Sequence, residues 1–321
     1  MTANTHSPIV LSGLTREAWL AERAKDITST EIAAVLGISP YATAFEVWQR
    51  KAGKIDDSFA DNERARWGRR LEPAIAQGLA EDYGLDARSL EGVYMRHPTV
   101  PRMGASFDFE IADRARPELG WGLLEIKNVD AGVFARDWLD LGDGEREAPP
   151  HIEAQVQHQL AVSGRRWAAI GVLVGGNRAY LLRRERDEEA IAAICEEVRR
   201  FWRSIEEGNC PAPDWRRDLD TLRQLYAKTD ATATLDDETR ARLAELLPRF
   251  DAARAAAKAA REAEDAVKAE LLALLGPVER ATIGDWTITA KTFTRKAYTV
   301  PGSTTRRLDV KRRAANAEPT S

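Results

Sequence analysis

The sequence predicts an α/β fold: a central mixed β-sheet flanked by helices, followed by a C-terminal helical arm and a small β unit. Three observations predict it. Within the first 210 residues, helical patterning gives way to three strand-like segments and then to a βαββα order, which one mixed sheet accommodates. A stretch at 208–220 with two prolines and a glycine interrupts the pattern. Beyond it, residues 236–275 turn to Ala, Glu, Arg and Leu at heptad spacing.

Residues 15–24 predict a short helix with Thr15 as its cap. Thr28 or Ser29 opens a second helix, TEIAAVLG, which Gly37 closes. Segments 43–52 and 61–83 are helical, with Ile75, Leu79 and Tyr83 recurring on one face of the latter. Strands are expected at 91–97, 102–111 and 121–128. A Gly- and Pro-rich loop leads to a helix over about 151–162. Strands at 166–174 and 178–185 then flank a GGN turn, and a helix spans 187–207. The division this implies is an α/β domain at 1–210, a linker at 211–235, a helical arm or hairpin at 236–276, a small β unit at 277–304, and a basic, loose tail at 305–321. In the arm, Leu243, Leu246, Phe250, Ala253, Ala257, Ala260, Val267, Leu271 and Leu274 trace a seam that Glu264 interrupts, and Pro248 is expected to kink the first turns.

Composition excludes several classes. With 44% hydrophobic and 31% charged residues in 321, the chain can bury a substantial core. Its longest apolar run, around Ala168 to Val174, is too short and too glycine-punctuated to span a membrane, and MTANTHSPIV does not read as a signal peptide. Two cysteines, Cys195 and Cys210, cannot build a disulfide framework or a zinc cage, so a reducing cytoplasm is the expected compartment. A net charge of −4 argues against binding nucleic acid by bulk positive charge, but not against a metal site with local basic residues. His97, His151 and His158 lack metal-like spacing, and most of the nine tryptophans sit among aliphatics as core residues. No Walker-type loop suggests ATP-driven unwinding.

The chemistry centres on Asp108 and Glu125-Ile126-Lys127. On a strand, Glu125 and Lys127 face one side and Ile126 the other. A neighbouring strand can bring Asp108 to the same edge. Two carboxylates and a lysine there suit phosphodiester hydrolysis around a hard divalent cation. The triplet alone is weak: composition supplies roughly 1.6 acidic-x-Lys triplets by chance, and two occur, the other being Asp309-x-Lys311 in the polar tail.

Taken together and in order, ITSTEIAAVLG, WGRRLE, GASFDFEI, LLEIKN, PPHIEAQVQHQLAVSG, WAAIGVLVGG and the RERDEEAI segment resemble the YqaJ-type viral recombinase family, which includes phage lambda exonuclease-like enzymes of the PD-(D/E)xK nuclease superfamily. The resemblance runs from about Arg23 to Trp202. It implies a restriction-endonuclease-like core at 1–210 and a metal-dependent, ATP-independent 5′-to-3′ exonuclease on double-stranded DNA ends, leaving 3′ overhangs. It implies Asp108, Glu125 and the Ile126 carbonyl as ligands of Mg²⁺, with Mn²⁺ as a substitute, and Lys127 as the catalytic lysine. Glu72 would reach the site from its helix, and Gln155 would orient the water or the lysine. Arg23 and Thr30 fall where the family contacts the DNA 5′-phosphate, and a guanidinium fork and a hydroxyl are suitable donors for it. The chain departs from the family in having Phe109, rather than glycine, directly after Asp108. The partners implied are double-stranded DNA ends, a single-strand annealing recombinase, and further copies of the chain in a trimeric ring. The competing expectations are an endonuclease or single-strand nuclease on the same core, and a DNA-end binder without catalysis.

Overall fold

The computed structural model describes residues 7–56, 63–142, 145–228 and 234–294. They form two units, the first reaching to Tyr226 and the second starting at Ala227.

In chain order the first unit contains β1 (Ile9–Leu11), α1 (Arg16–Ala24), β2 (Ile27–Thr28), α2 (Ile32–Val35), α3 (Ala44–Lys51), α4 (Glu63–Tyr83), β3 (Leu85–Ser89), β4 (Tyr94–Arg96), β5 (Met103–Ser106), β6 (Phe109–Asp113), β7 (Gly122–Val129), α5 (Ala131–Asp137), β8 (Leu139–Gly142), β9 (Glu145–Glu147), α6 (Pro150–Ser163), β10 (Trp167–Val174), β11 (Arg178–Glu185), α7 (Glu188–Glu206) and α8 (Leu219–Leu225). The expected class is observed: a five-stranded mixed sheet of order β11-β10-β7-β6-β3, in which only β7 and β10 run parallel. Beside it lies a second, four-stranded sheet of order β1-β4-β5-β2, where a single sheet had been expected.

Two expected elements are redrawn. The strand expected over 102–111 is two strands, β5 in the small sheet and β6 in the large one. The chain changes sheet at Phe107 and Asp108. Phe107 enters one hydrophobic core and Phe109, the departure from the family pattern, packs against another, so the two phenylalanines pin this corner from both sides. The helix expected from Thr28 begins at Ile32 instead. β-branched Thr28 is held in a parallel pair with β5, and its backbone N–H and hydroxyl both donate to Glu31 Oε2, at 3.0 and 2.9 Å. Gly37 does close that turn, at φ +73°. In the region read as linker, Asp218 is buried and accepts from Thr43 Oγ1 at 2.6 Å.

The large sheet is covered on both faces. Ile75, Ala76 and Leu79 of α4 meet Leu124 and Ile126 on one side. Ile152, Val156 and Leu160 of α6 meet Leu123, Ile170 and Val172 on the other, with α7 beyond. Four tryptophans (Trp48, Trp138, Trp167 and Trp202) are core residues, whereas Trp67, Trp215 and Trp286 are exposed.

Two stability predictions arise from this packing. Gly104 on β5 lies flat under the ring of Tyr94, which is fully buried and donates to Asp26 Oδ2 at 3.0 Å. A Cβ at 104 would overlap the ring and its hydroxyl. Gly104→Ala should cost about 3 kcal/mol in urea denaturation. Gly68→Ala on α4, where a Cβ meets open space, should be neutral or slightly stabilising.

The second concerns His158 on α6. Its Nε2 donates to the Gly104 carbonyl at 3.0 Å, while its buried Nδ1 faces no partner. Burial lowers its pKa to about 4, and burial lowers half-buried His97 to about 4 as well. The native state therefore takes up these protons later than the unfolded chain does. Stability present above about pH 6.5 is lost as pH falls toward 4, by up to about 3 kcal/mol from His158. Urea midpoints should fall between pH 7 and pH 5. His158→Gln, whose amide still donates to Gly104 but does not titrate, should make that fall shallower.

The second unit contains α9 (Asp237–Leu275), β12 (Arg280–Ile283) and β13 (Trp286–Thr289). Helix α9 is one continuous helix that runs through Pro248, with Asp236 Oδ1 accepting from the Thr239 N–H at 2.7 Å to cap it. The two strands form an antiparallel hairpin. The basic cluster at 305–321 lies outside the described residues.

Candidate active site

The ladder between β6 and β7 ends at Phe109 opposite Leu124. One residue before that, the chain turns away, and the Asp108 carboxylate replaces the missing main chain. Its Oδ2 accepts the Ile126 N–H at 2.8 Å. The sheet corner thus puts Asp108 against the middle of β7.

Along β7, Leu124 and Ile126 point to α4, while Glu125 and Lys127 point the other way. They meet Gln155 of α6. Lys127 Nζ donates to Glu125 Oε1 at 2.6 Å and to Gln155 Oε1 at 3.1 Å. The Gln155 amide in turn donates to Glu125 Oε1 at 2.6 Å. Gln159, one helical turn on, donates to Glu125 Oε2 at 2.7 Å and to the Ser106 carbonyl at 3.2 Å. Glu125 is 5% exposed, so it depends on these donors to remain a buried carboxylate.

The electrostatics are crowded. Burial pushes the Asp108 carboxyl well above the usual range, and the neighbouring Glu125 and Glu72 carboxylates push it further. Burial raises Glu72 too, with Glu125 adding to it. For Lys127, burial acts to lower the ammonium, but Glu125, Asp108 and Glu72 outweigh it and hold it above its ordinary value. Three carboxyl groups therefore face one ammonium.

A second cluster lies on the same cavity. Arg23 of α1 donates through Nη2 to Thr30 Oγ1 at 3.2 Å and through Nη1 to Ser106 Oγ at 3.3 Å. Its guanidinium lies 4.4 Å from the Trp19 ring, and the Trp19 indole donates to Ser106 Oγ at 2.9 Å. All eight residues singled out in the sequence line one cavity of about 530 Å³: Arg23, Thr30, Glu72, Asp108, Glu125, Ile126, Lys127 and Gln155. Arg16, Arg69, Trp19 and Ser106 line it as well. Sequence reasoning missed Gln159, Trp19 and Ser106. The spacing of four residues from Gln155 to Gln159 is a signal for the first; a lone Trp and a lone Ser carry none.

The donors at Asp108 and Glu125 are carboxylate oxygens, the choice of a hard cation, and the carboxylates crowded around Asp108 are charge that such an ion would balance. No cluster of three His, Cys, Asp or Glu side chains forms a closed cage among the described residues. A cation here would be held by one or two carboxylates and keep part of its water shell, as Mg²⁺ commonly does.

Comparison with known proteins gives these residues a family. A solved alkaline exonuclease from Laribacter hongkongensis is 24% identical, covers 60% of this chain and 94% of its own, and superposes with a TM-score of 0.48. The Bacillus subtilis (strain 168) protein YqaJ is 30% identical over 230 residues, which make up 70% of this chain and 68% of that protein. The model of the YqaJ-like viral recombinase domain matches residues 18–166, a span that holds Arg23, Thr30, Glu72, Asp108, the Glu125–Lys127 triplet and Gln155. The chain that builds this cavity belongs to the YqaJ-like viral recombinase family.

Proposed function

We propose that this cavity hydrolyses phosphodiester bonds and that the protein is a metal-dependent, ATP-independent exonuclease acting 5′ to 3′ on double-stranded DNA ends. One observation carries the reading: in a chain of this family, the acids, the lysine and the Arg23–Thr30 pair converge on one cavity. Asp108, Glu125 and the Ile126 carbonyl would hold the metal, with Glu72 beside them. Mg²⁺ fits this donor set, and Mn²⁺ would substitute. When bound, the ion supplies charge neutralisation at the scissile phosphate and a more acidic water.

The protein's own groups do the rest. Lys127, held between Glu125 and Gln155, would position or deprotonate the attacking water, or stabilise the charge that develops on the phosphate. Gln155 bridges Lys127 and Glu125 and so fixes the ammonium relative to the carboxylate. Gln159 holds the other Glu125 oxygen, leaving that side chain a single rotamer. Arg23, placed over the Trp19 ring, would present its fork with Thr30 to a 5′-phosphate. Degradation of the 5′-ended strand would leave a 3′ overhang for a single-strand annealing recombinase, and the family resemblance supports a ring of three copies. Among the described residues no helix is long and apolar enough to cross a membrane.

The test is hydrolysis of linear duplex DNA with Mg²⁺ against EDTA: turnover should require the metal, and equal turnover in EDTA contradicts the reading. Arg23→Ala should erode the preference for 5′-phosphorylated over 5′-hydroxyl ends by about tenfold or more, the effect of losing a charge-assisted hydrogen bond. Equal losses on both ends would remove Arg23 from that role.

A further inference from the structure

Helix α9 is 39 residues long, yet every residue in it except Asp251 and Leu275 is exposed, the large apolar ones included. Its apolar side chains recur alternately three and four residues apart from Leu243 to Leu274, with Glu264 the one polar residue in the register. That is a coiled-coil seam about 46 Å long at 1.5 Å per residue. Pro248 falls on the side opposite the seam, where the hydrogen bond it cannot make leaves a carbonyl to water instead of to a partner helix.

The seam is also symmetric about its midpoint, between Lys258 and Ala259. Large residues occupy both ends and alanines the middle. Reversing the helix sets Leu243 against Leu274, Leu246 against Leu271, and Phe250 against Val267. Ala257 meets Ala260 at the centre, where small residues let two helices approach closely. From these matches we infer that α9 pairs with α9 of a second copy of the chain, antiparallel and in this register.

Inside the seam, charge selects the same arrangement, while on the flanks Arg254 comes as near to Arg261 of the second copy as Arg249 does to Glu270. In a parallel, in-register pair, Glu264 would face its own copy inside the seam, a costly like-charge contact. In the antiparallel pair it lies opposite Ala253 and beside Arg254 of the second copy. Arg249 on the seam's flank comes within one turn of Glu270 of the second copy. The two-fold axis makes each of these opposite-charge pairs twice. Among the described residues of its unit nothing buries these exposed leucines, and the pairing does so along the seam. The inference does not depend on the proposed nuclease chemistry.

The test uses the full chain with exposed Cys210 changed to Ser. Phe250→Cys and Val267→Cys are made separately, with tags of different size, and oxidised alone and mixed. In the antiparallel pair, position 250 is level with 267 of the second copy and about 25 Å from the second copy's 250. The mixed disulfide dimer should therefore dominate, with little self-linking of either variant. Self-linking equal to or above mixed linking would establish a parallel pair and overturn the proposal, and the absence of any link would assign the face to another partner. Charge reversal reads the same register without touching the seam: Arg249→Glu should weaken association in light scattering, and Arg249→Glu with Glu270→Arg should restore it. Failure to restore would overturn the register.

Discussion

Lys127→Ala should lower the rate of duplex hydrolysis by at least about 10²–10³-fold while the protein stays folded and still binds DNA ends. That range is what loss of one preorganised donor to a developing charge costs in a closed site. Lys127 is half-buried at the cavity wall and, among the described residues, its ammonium bonds to Glu125 and Gln155, so its removal opens no hole in the core. It leaves Glu125 with the Gln155 and Gln159 amides as donors, which keeps that carboxylate in place. Single-turnover cleavage under saturating enzyme, beside end binding and circular dichroism, checks the claim. Wild-type-like turnover would remove Lys127 from the chemistry.

Asp108→Asn should separate function from stability in the opposite sense. The asparagine oxygen can still accept the Ile126 N–H that holds the corner. It also removes the charge that burial, Glu125 and Glu72 disfavour. In EDTA the variant should therefore melt higher than the wild type, because a carboxyl raised in the folded state works against folding at neutral pH. Hydrolysis should nonetheless fall as far as for Lys127→Ala, since the amide is a poor metal ligand. Mg²⁺ should raise the melting temperature of the wild type and have little effect on the variant. A variant that melts lower in EDTA, or that gains as much from Mg²⁺ as the wild type does, would contradict the account of this corner.

What the sequence revealed, and what it hid, follows from the range of the forces involved. The long periodic segments, such as α4, α6, α7 and the heptad run of α9, announce themselves because one face of each is apolar at 3.6- or 3.5-residue spacing. So does β7, whose Glu125 and Lys127 alternate with Leu124 and Ile126. The break at Phe107–Asp108 was invisible locally. GASFDFEI reads as one strand, and only competition between two sheets for the two phenylalanines splits it. The same tertiary competition put Thr28 into a strand pair rather than at a helix start. Short elements such as β3, α5 and α8 carried too little pattern to be seen.

The candidate site was legible in a different way. No single residue of it stood out from composition, and the acidic-x-Lys triplet was close to chance. The joint order of the motifs identified the family, and the fold then brought every named residue to one cavity. Residues that serve through another, Gln159 on Glu125 and Trp19 under Arg23, could not be read without the geometry that makes them neighbours.

The most direct measurement is a time course on linear duplex DNA labelled at either the 5′ or the 3′ end, with Mg²⁺, beside a covalently closed circle. The account predicts early release of the 5′ label, late release of the 3′ label, and an intact circle. Cleavage of the circle, or early release of the 3′ label, would contradict it.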